Sequence, residues 1–239
     1  MVDNTASISI KLPSISCSAV FKQRPNFTIY HLKSAELNRK NAFEMEQEYS
    51  KQEPPPDILQ DYISHISTVI ISSVAALESK INEYIVDNEN EISKKSLHMG
   101  EDFFSRFKKI KKDENILIQI KAKTSAILKY KIINQIIHND TKIEQKVEEK
   151  INLIISIRNA LIHFTPEWDN DLDKHEKIEK SVNNHNYFKL SPFYSKDIIF
   201  FPYRCLSCNC ADWAIATSKS FIEEFQKLSC KKFCVTAFL

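Results

Sequence analysis

The sequence predicts a mainly α-helical protein, and three observations carry that prediction. The chain of 239 residues contains one glycine, Gly100, and a fold with many tight turns needs more residues that tolerate φ > 0. From Ile58 onward apolar residues recur three and four apart, the signature of helices facing a common core. Polar capping residues and prolines punctuate those runs.

Residues 1–53 read differently. Three short stretches, 7–12, 15–21 and 27–32, alternate apolar and polar positions and are separated by Pro13 and Pro25, so a small β-rich extension is expected there. Pro54, Pro55 and Pro56 then mark a boundary, and Asp57 is a candidate N-terminal cap for the next element. Residues 54–239 form the expected helical bundle, up-and-down in topology.

Within the bundle, Ile58, Tyr62, Ile66, Val69 or Ile70, Val74, Leu77, Ile81 and Ile85 define one long amphipathic helix. A shorter helix is expected over 101–110. Asp113 is placed to cap another, whose apolar positions run from Ile116 to about Ile137. Thr141 and Glu144 have capping-box spacing ahead of a helix carrying Ile143, Val147, Ile151, Ile154, Ile155 and Leu161, which Pro166 stops. About 165–204 is expected to be an irregular, aromatic-rich insertion, with a short helix near 174–181 and an extended piece at 197–201. The last helix is expected over about 208–228.

Composition excludes several functions. With 33 Lys+Arg against 31 Asp+Glu, the net charge of +2 argues against nucleic-acid binding by bulk charge, so any polyanion contact must be local. One glycine rules out Gly-rich phosphate cradles, and with them P-loop, dinucleotide-binding and kinase readings. Residues 1–10 carry no basic start followed by an apolar core, so no secretory signal is recognised. The longest apolar-leaning run, 66–77, is interrupted by Ser67, Thr68, Ser72 and Ser73 and is shorter than the roughly 20 residues a membrane span needs. A soluble, cytoplasmic protein without a membrane partner is expected, and its six cysteines are expected to be reduced thiols.

Chemistry concentrates in Arg158-Asn159-Ala160-Leu161-Ile162-His163. Three reactive polar residues close an otherwise apolar helix. Asn159 and His163 are four apart and share a face, whereas Arg158 and His163 lie roughly 140° apart around an ideal helix. Either the helix end bends, or a second copy of the segment supplies the missing group.

Arg158-Asn159-x-x-x-His163 at the end of a bundle helix resembles the R-x4-6-H motif of the HEPN superfamily. The wider string from Arg158 to Trp168 and the segment Cys210-Ala211-Asp212-Trp213-Ala214 are similar to strings in bacterial HEPN-like proteins. The resemblance covers residues 57–228 in architecture and a handful of residues in motif. It implies a helical, commonly dimeric, metal-independent endoribonuclease. His163 would be general base or acid at the ribose 2′-hydroxyl or the leaving oxygen, Arg158 would stabilise charge on the scissile phosphate, and Asn159 would orient one of them. RNA carries its own nucleophile, so no cofactor and no metal is implied. A homodimer would line one cleft with both Arg158–His163 pairs. By analogy alone, such nucleases serve toxin–antitoxin or antiviral defence systems, with an antitoxin or defence partner protein. One departure matters: the aromatic found two positions after the histidine in toxins paired with nucleotidyltransferase antitoxins is replaced by Thr165, with Phe164 before it. A plainer reading remains open, in which Arg158 and Asn159 pair locally, His163 answers the helix dipole, and the bundle is a non-catalytic module for dimerisation or partner binding.

Three further groups are candidates. Glu78 and Asn82, four apart on the long helix, are placed to reach and hold Arg158 from a facing helix. Lys108, Lys109, Lys111 and Lys112, beside Phe107, are a weak candidate for guiding RNA backbone, the alternative being a solvated face. Cys205-x2-Cys208-x-Cys210 suggests zinc if His185, Cys230 or Cys234 joins, but lacks the regular paired spacing of structural sites, and core thiols are the favoured reading.

Overall fold

The computed structural model describes residues 25–112, 115–138, 142–164 and 175–235. Its elements are α1 (Phe27–Glu48), α2 (Pro56–Asp87), α3 (Glu89–Ser96), α4 (Glu101–Arg106), α5 (Ile116–Lys123), α6 (Ala126–His138), α7 (Gln145–Ile162), α8 (Glu176–His185) and α9 (Cys208–Val235). Among the described residues there is no strand, and no helix is long and apolar enough to cross a membrane.

Helix α2 is the axis of the bundle. Tyr62, Ile66, Val69, Ile70, Val74, Leu77, Ile81 and Ile85 are all buried, so the expected stripe is present along nearly nine turns. Pro56 occupies the first helical position, where its missing N–H costs no bond. Asp57 therefore lies in the first turn and is not the cap. Helix α1 runs antiparallel to α2: Thr28 Oγ1 donates to Glu83 at 2.9 Å near one end, and Tyr62 Oη donates to Glu46 at 2.7 Å near the other. The small residues Ala35 and Ala42 let the two helices approach closely.

Helix α9 covers another side of α2 and runs parallel to it. The Cys208 N–H donates to Tyr62 Oη at 3.0 Å at their N-terminal ends, and Tyr84 meets Phe225 edge to face at 4.9 Å further along. The long helices therefore do not alternate strictly up and down, because the excursion through α8 returns the chain before α9 begins. Arg39 clamps α1 to α9 through a two-pronged pair with Asp212 at 2.6 and 2.8 Å. Helix α6 closes a third side: Tyr130 Oη donates to the Leu77 carbonyl at 2.9 Å, and its ring packs edge to face on Phe221 and Phe225.

Residues 27–32, expected as a strand, are the first turns of α1. Asn26 caps them by accepting from the Ile29 N–H at 3.1 Å, Thr28 is buried and bonded to Glu83 of α2, and this anchoring overrides the β-leaning composition. Residues 7–12 and 15–21 lie outside the described residues, as do Asp113 and Thr141. The helix expected from about 113 to 137 is two helices. Thr124 is extended (φ −121°, ψ 144°) and its hydroxyl donates to the Ile120 carbonyl at 2.6 Å, which ends α5 before α6 starts. Asn115 caps α5, accepting from the Leu117 and Ile118 N–H groups. Glu144 is the N-cap of α7 and makes no side-chain capping bond.

In the insertion, the short helix is α8. Ile199 and Phe201 have extended torsions, but no strand pairs with them among the described residues, and Phe200–Arg204 forms a distorted turn. The segment is fastened to the start of α9: Ser191 N–H donates to the Arg204 carbonyl at 2.8 Å, Ser207 Oγ to the Lys189 carbonyl at 2.6 Å, and Tyr187 and Phe188 pack on Trp213.

Cys205, Cys208 and Cys210 are buried free thiols in this junction. Burial pushes the Cys208 thiol up from 9.0 to about 12, reinforced by Glu46, and burial likewise raises Cys210, which bonds to Cys205. Burial also raises Tyr62 and Tyr130. These groups stay neutral in the folded chain while an unfolded chain loses their protons above pH 9, so they favour the native state below that pH and cease to do so as pH rises toward 12. Thermal unfolding is accordingly expected to drop between pH 8.5 and pH 11, with the native thiols unreactive toward a maleimide at neutral pH. Tyr62→Phe is expected to cost about 1–3 kcal/mol in urea unfolding, since it leaves the buried Cys208 N–H without an acceptor.

Candidate functional site

The candidate site is assembled where the C-terminal half of α7 crosses α2. Ile151, Leu153, Ile154 and Ile157 bury one side of α7. That packing turns the next position, Arg158, toward α2, where its guanidinium donates to Glu78 in a close ion pair. The Arg158 side chain keeps 21% of its surface exposed and Glu78 keeps 45%. A pair this open contributes little to stability, yet it fixes the direction of the guanidinium and leaves donors over for a second acceptor.

One turn along α2, Asn82 accepts from Lys129 Nζ of α6 at 2.9 Å. Partial burial lowers the Lys129 pKa, and the Glu78 carboxylate works against that shift. The structure thus groups two cations, Arg158 and Lys129, around Glu78 and Asn82. Lys129 belongs in sequence to the lysines that follow the basic run, and nothing in its local pattern places it beside Arg158, because its neighbours Asn82 and Glu78 come from a helix more than forty residues away.

Asn159 and His163 are exposed. His163 is the C-cap of α7 (φ −106°, ψ 36°), and its N–H still bonds to the Asn159 carbonyl at 2.9 Å. The helix therefore stays regular up to His163, and the angular offset of roughly 140° from Arg158 is kept. The structure brings together Arg158, Glu78 and, through Lys129, Asn82. It places Asn159 and His163 on the open surface of the same helix end. Phe164, next in sequence, stacks with His175 at 6.2 Å, and His175 packs on Phe201 at 4.6 Å.

The lysine run lies elsewhere. Arg106, just before it, donates to Gln135 at 2.7 Å and shares a cavity of about 490 Å³ with Lys131 and Glu148. Glu148 precedes Arg158 by about 15 Å along α7, so this cavity is at the far end of that helix. Lys112 pairs with Glu101 at 2.5 Å, and Gln119 bridges the backbone N–H and carbonyl of Lys111. Lys108 and Lys109 are exposed. Phe107, expected to be available for base stacking, is buried against Phe103 at 5.0 Å. Among the described residues no group of three or more His, Cys, Asp or Glu is arranged to hold a metal ion, and His185 stacks on Tyr187 instead of approaching the thiols.

No protein-family model matches this chain, and no curated protein or solved structure is significantly similar to it.

Glu78→Gln is expected to move the thermal midpoint by no more than about 4 °C, the effect of an exposed pair. A larger fall in a differential scanning experiment would make the Arg158–Glu78 pair a structural prop.

Proposed function

We propose that this chain is a HEPN-like endoribonuclease that acts as a homodimer and needs no metal. The observation that carries the reading is the holding of Arg158 by Glu78, beside Lys129 and with His163 exposed at the end of the same helix. A guanidinium oriented by a carboxylate and a neighbouring ammonium suit a phosphodiester, whose charge grows in the transition state.

In the proposed reaction an imidazole of His163 accepts the ribose 2′-hydroxyl proton, and the 2′-oxygen attacks the adjacent phosphorus. Arg158 stabilises the charge on the non-bridging oxygens. The bond from phosphorus to the 5′-oxygen breaks, that oxygen takes a proton from water while the His163 imidazolium gives its own back to solvent, and the products are a 2′,3′-cyclic phosphate and a 5′-hydroxyl end. The regular end of α7 keeps Arg158 and His163 on different sides of the helix, so a second copy across a two-fold axis supplies the other half of each site. Asn159, exposed between them, orients the imidazole or the phosphate. A growth-arresting role under the control of an antitoxin or defence partner rests on family analogy alone.

Purified protein incubated with single-stranded RNA in EDTA is expected to leave 2′,3′-cyclic phosphate ends. Arg158→Ala and His163→Ala are expected to lose at least about a hundredfold in rate while keeping the wild-type circular dichroism. A folded, dimeric wild type that leaves RNA intact would favour the non-catalytic module, and a monomer with full activity would remove the second copy from the mechanism.

A further inference from the structure

The cavity at the other end of α7 has no part in the reaction above. It lies between the end of α4, one side of α6 and the first turns of α7, and its volume of about 490 Å³ is in the range of small-molecule sites. Phe107, Leu128 and Ile143 make part of the wall apolar. Charge lines the rest: Arg106, Lys131 and Lys142 bring three cations, and Glu148 brings the one carboxylate.

The polar contacts decide how these charges are committed. Lys131 pairs with Glu148 at 2.5 Å, so those two offset one another. Arg106 donates to Gln135 at 2.7 Å. The acceptor there is an amide oxygen, so this contact orients the guanidinium without neutralising it. Lys142 is exposed at the rim and enters no ion pair with a described residue.

The lining therefore holds an excess of two positive charges beside an apolar wall. A phosphate monoester near neutral pH carries close to two negative charges, whereas each phosphodiester of an RNA backbone carries one. A guanidinium and an ammonium are also the groups that grip a terminal phosphate, the first through its fork of donors and the second as a point charge.

We infer that this cavity binds a phosphate monoester, with its phosphoryl oxygens taken by Arg106 and Lys142 and its organic group against Phe107, Leu128 and Ile143. The site is separate from Arg158, and the inference stands whether or not the chain cuts RNA.

The test is isothermal titration of the full chain with phenyl phosphate and with phenyl sulfate, which has nearly the same shape and one negative charge less. At about pH 7.5 phenyl phosphate is expected to bind about fivefold tighter, the effect of one added charge near the surface. Arg106→Gln and Lys142→Gln are each expected to weaken it about tenfold, the loss of one charged hydrogen bond, and Lys142→Arg is expected to stay close to wild type. The arginine variant separates this cavity from a smaller one of about 190 Å³ that Lys142 and Ile143 also line and Arg106 does not. The lysine variant alters only an exposed side chain and keeps the test valid if Arg106→Gln disturbs the end of α4, as circular dichroism would reveal. Lys109→Gln, an exposed lysine outside the lining, is the control and is expected to bind as wild type. Phenyl phosphate that binds no tighter than phenyl sulfate, or binds Lys142→Gln as well as wild type, would overturn the inference, as would an absence of binding at millimolar concentration. A DNA trimer with a 5′-phosphate distinguishes the sources of the ester: binding tighter than phenyl phosphate would place a nucleic-acid end in the cavity, and weaker binding would assign the cavity to a free small ester.

Discussion

The structure depends on the burial of α2. A helix with eight large apolar or aromatic side chains removed from water has no single face toward solvent broad enough to stand alone, and each side must be covered by another element. Helices α1, α6, α7 and α9 do this, and the polar contacts they make on α2 follow from the covering. Tyr62 receives α9, Glu83 receives α1, Leu77 receives α6 and Glu78 receives α7. The last two are adjacent in sequence, so the anchoring of the core and the fixing of the candidate arginine occur within one residue of each other. The site inherits its rigidity from the most buried helix in the molecule, with only its outer residues reaching water.

How much of this was legible in the sequence varies with the physical origin of each element. Helix α2 was readable because its 3.6-residue periodicity is long and uninterrupted, and α7 and α9 were readable for the same reason. Helix α1 was not. Phe27-Thr28-Ile29-Tyr30 is β-branched and aromatic, and its helical state is decided by Asn26 at the cap and by Ala35 and Ala42 against α2, contacts that no local pattern announces. The break between α5 and α6 uses neither glycine nor proline. Its only local mark is Thr124-Ser125, where a threonine hydroxyl competes for a backbone carbonyl.

The candidate site divides in the same way. Glu78 could be named beside Arg158 because four-residue spacing puts it with Asn82 on one side of α2. The arrival of Lys129 between them is a tertiary event, set by where α6 lands. The basic run from Lys108 to Lys112 is a different case: a conspicuous string of charge that lies toward the far end of α7 from Arg158, with Lys112 paired to Glu101 and the Lys111 backbone bridged by Gln119. Charge in a line of sequence says little about charge gathered in space.

The clamp between Arg39 and Asp212 joins residues 173 positions apart, and its consequence concerns how the chain is made. During synthesis α1 and α2 leave the ribosome before α9 and can pair at once, but the side of α2 that carries Tyr62 and Tyr84 lacks its cover until α9 has been translated. A chain stopped anywhere before α9 exposes the apolar flank of α2 and lacks Tyr62's partner at Cys208. Interrupted synthesis therefore yields a product fit for degradation, and the arginine helix is set against a finished bundle only once α9 has been made.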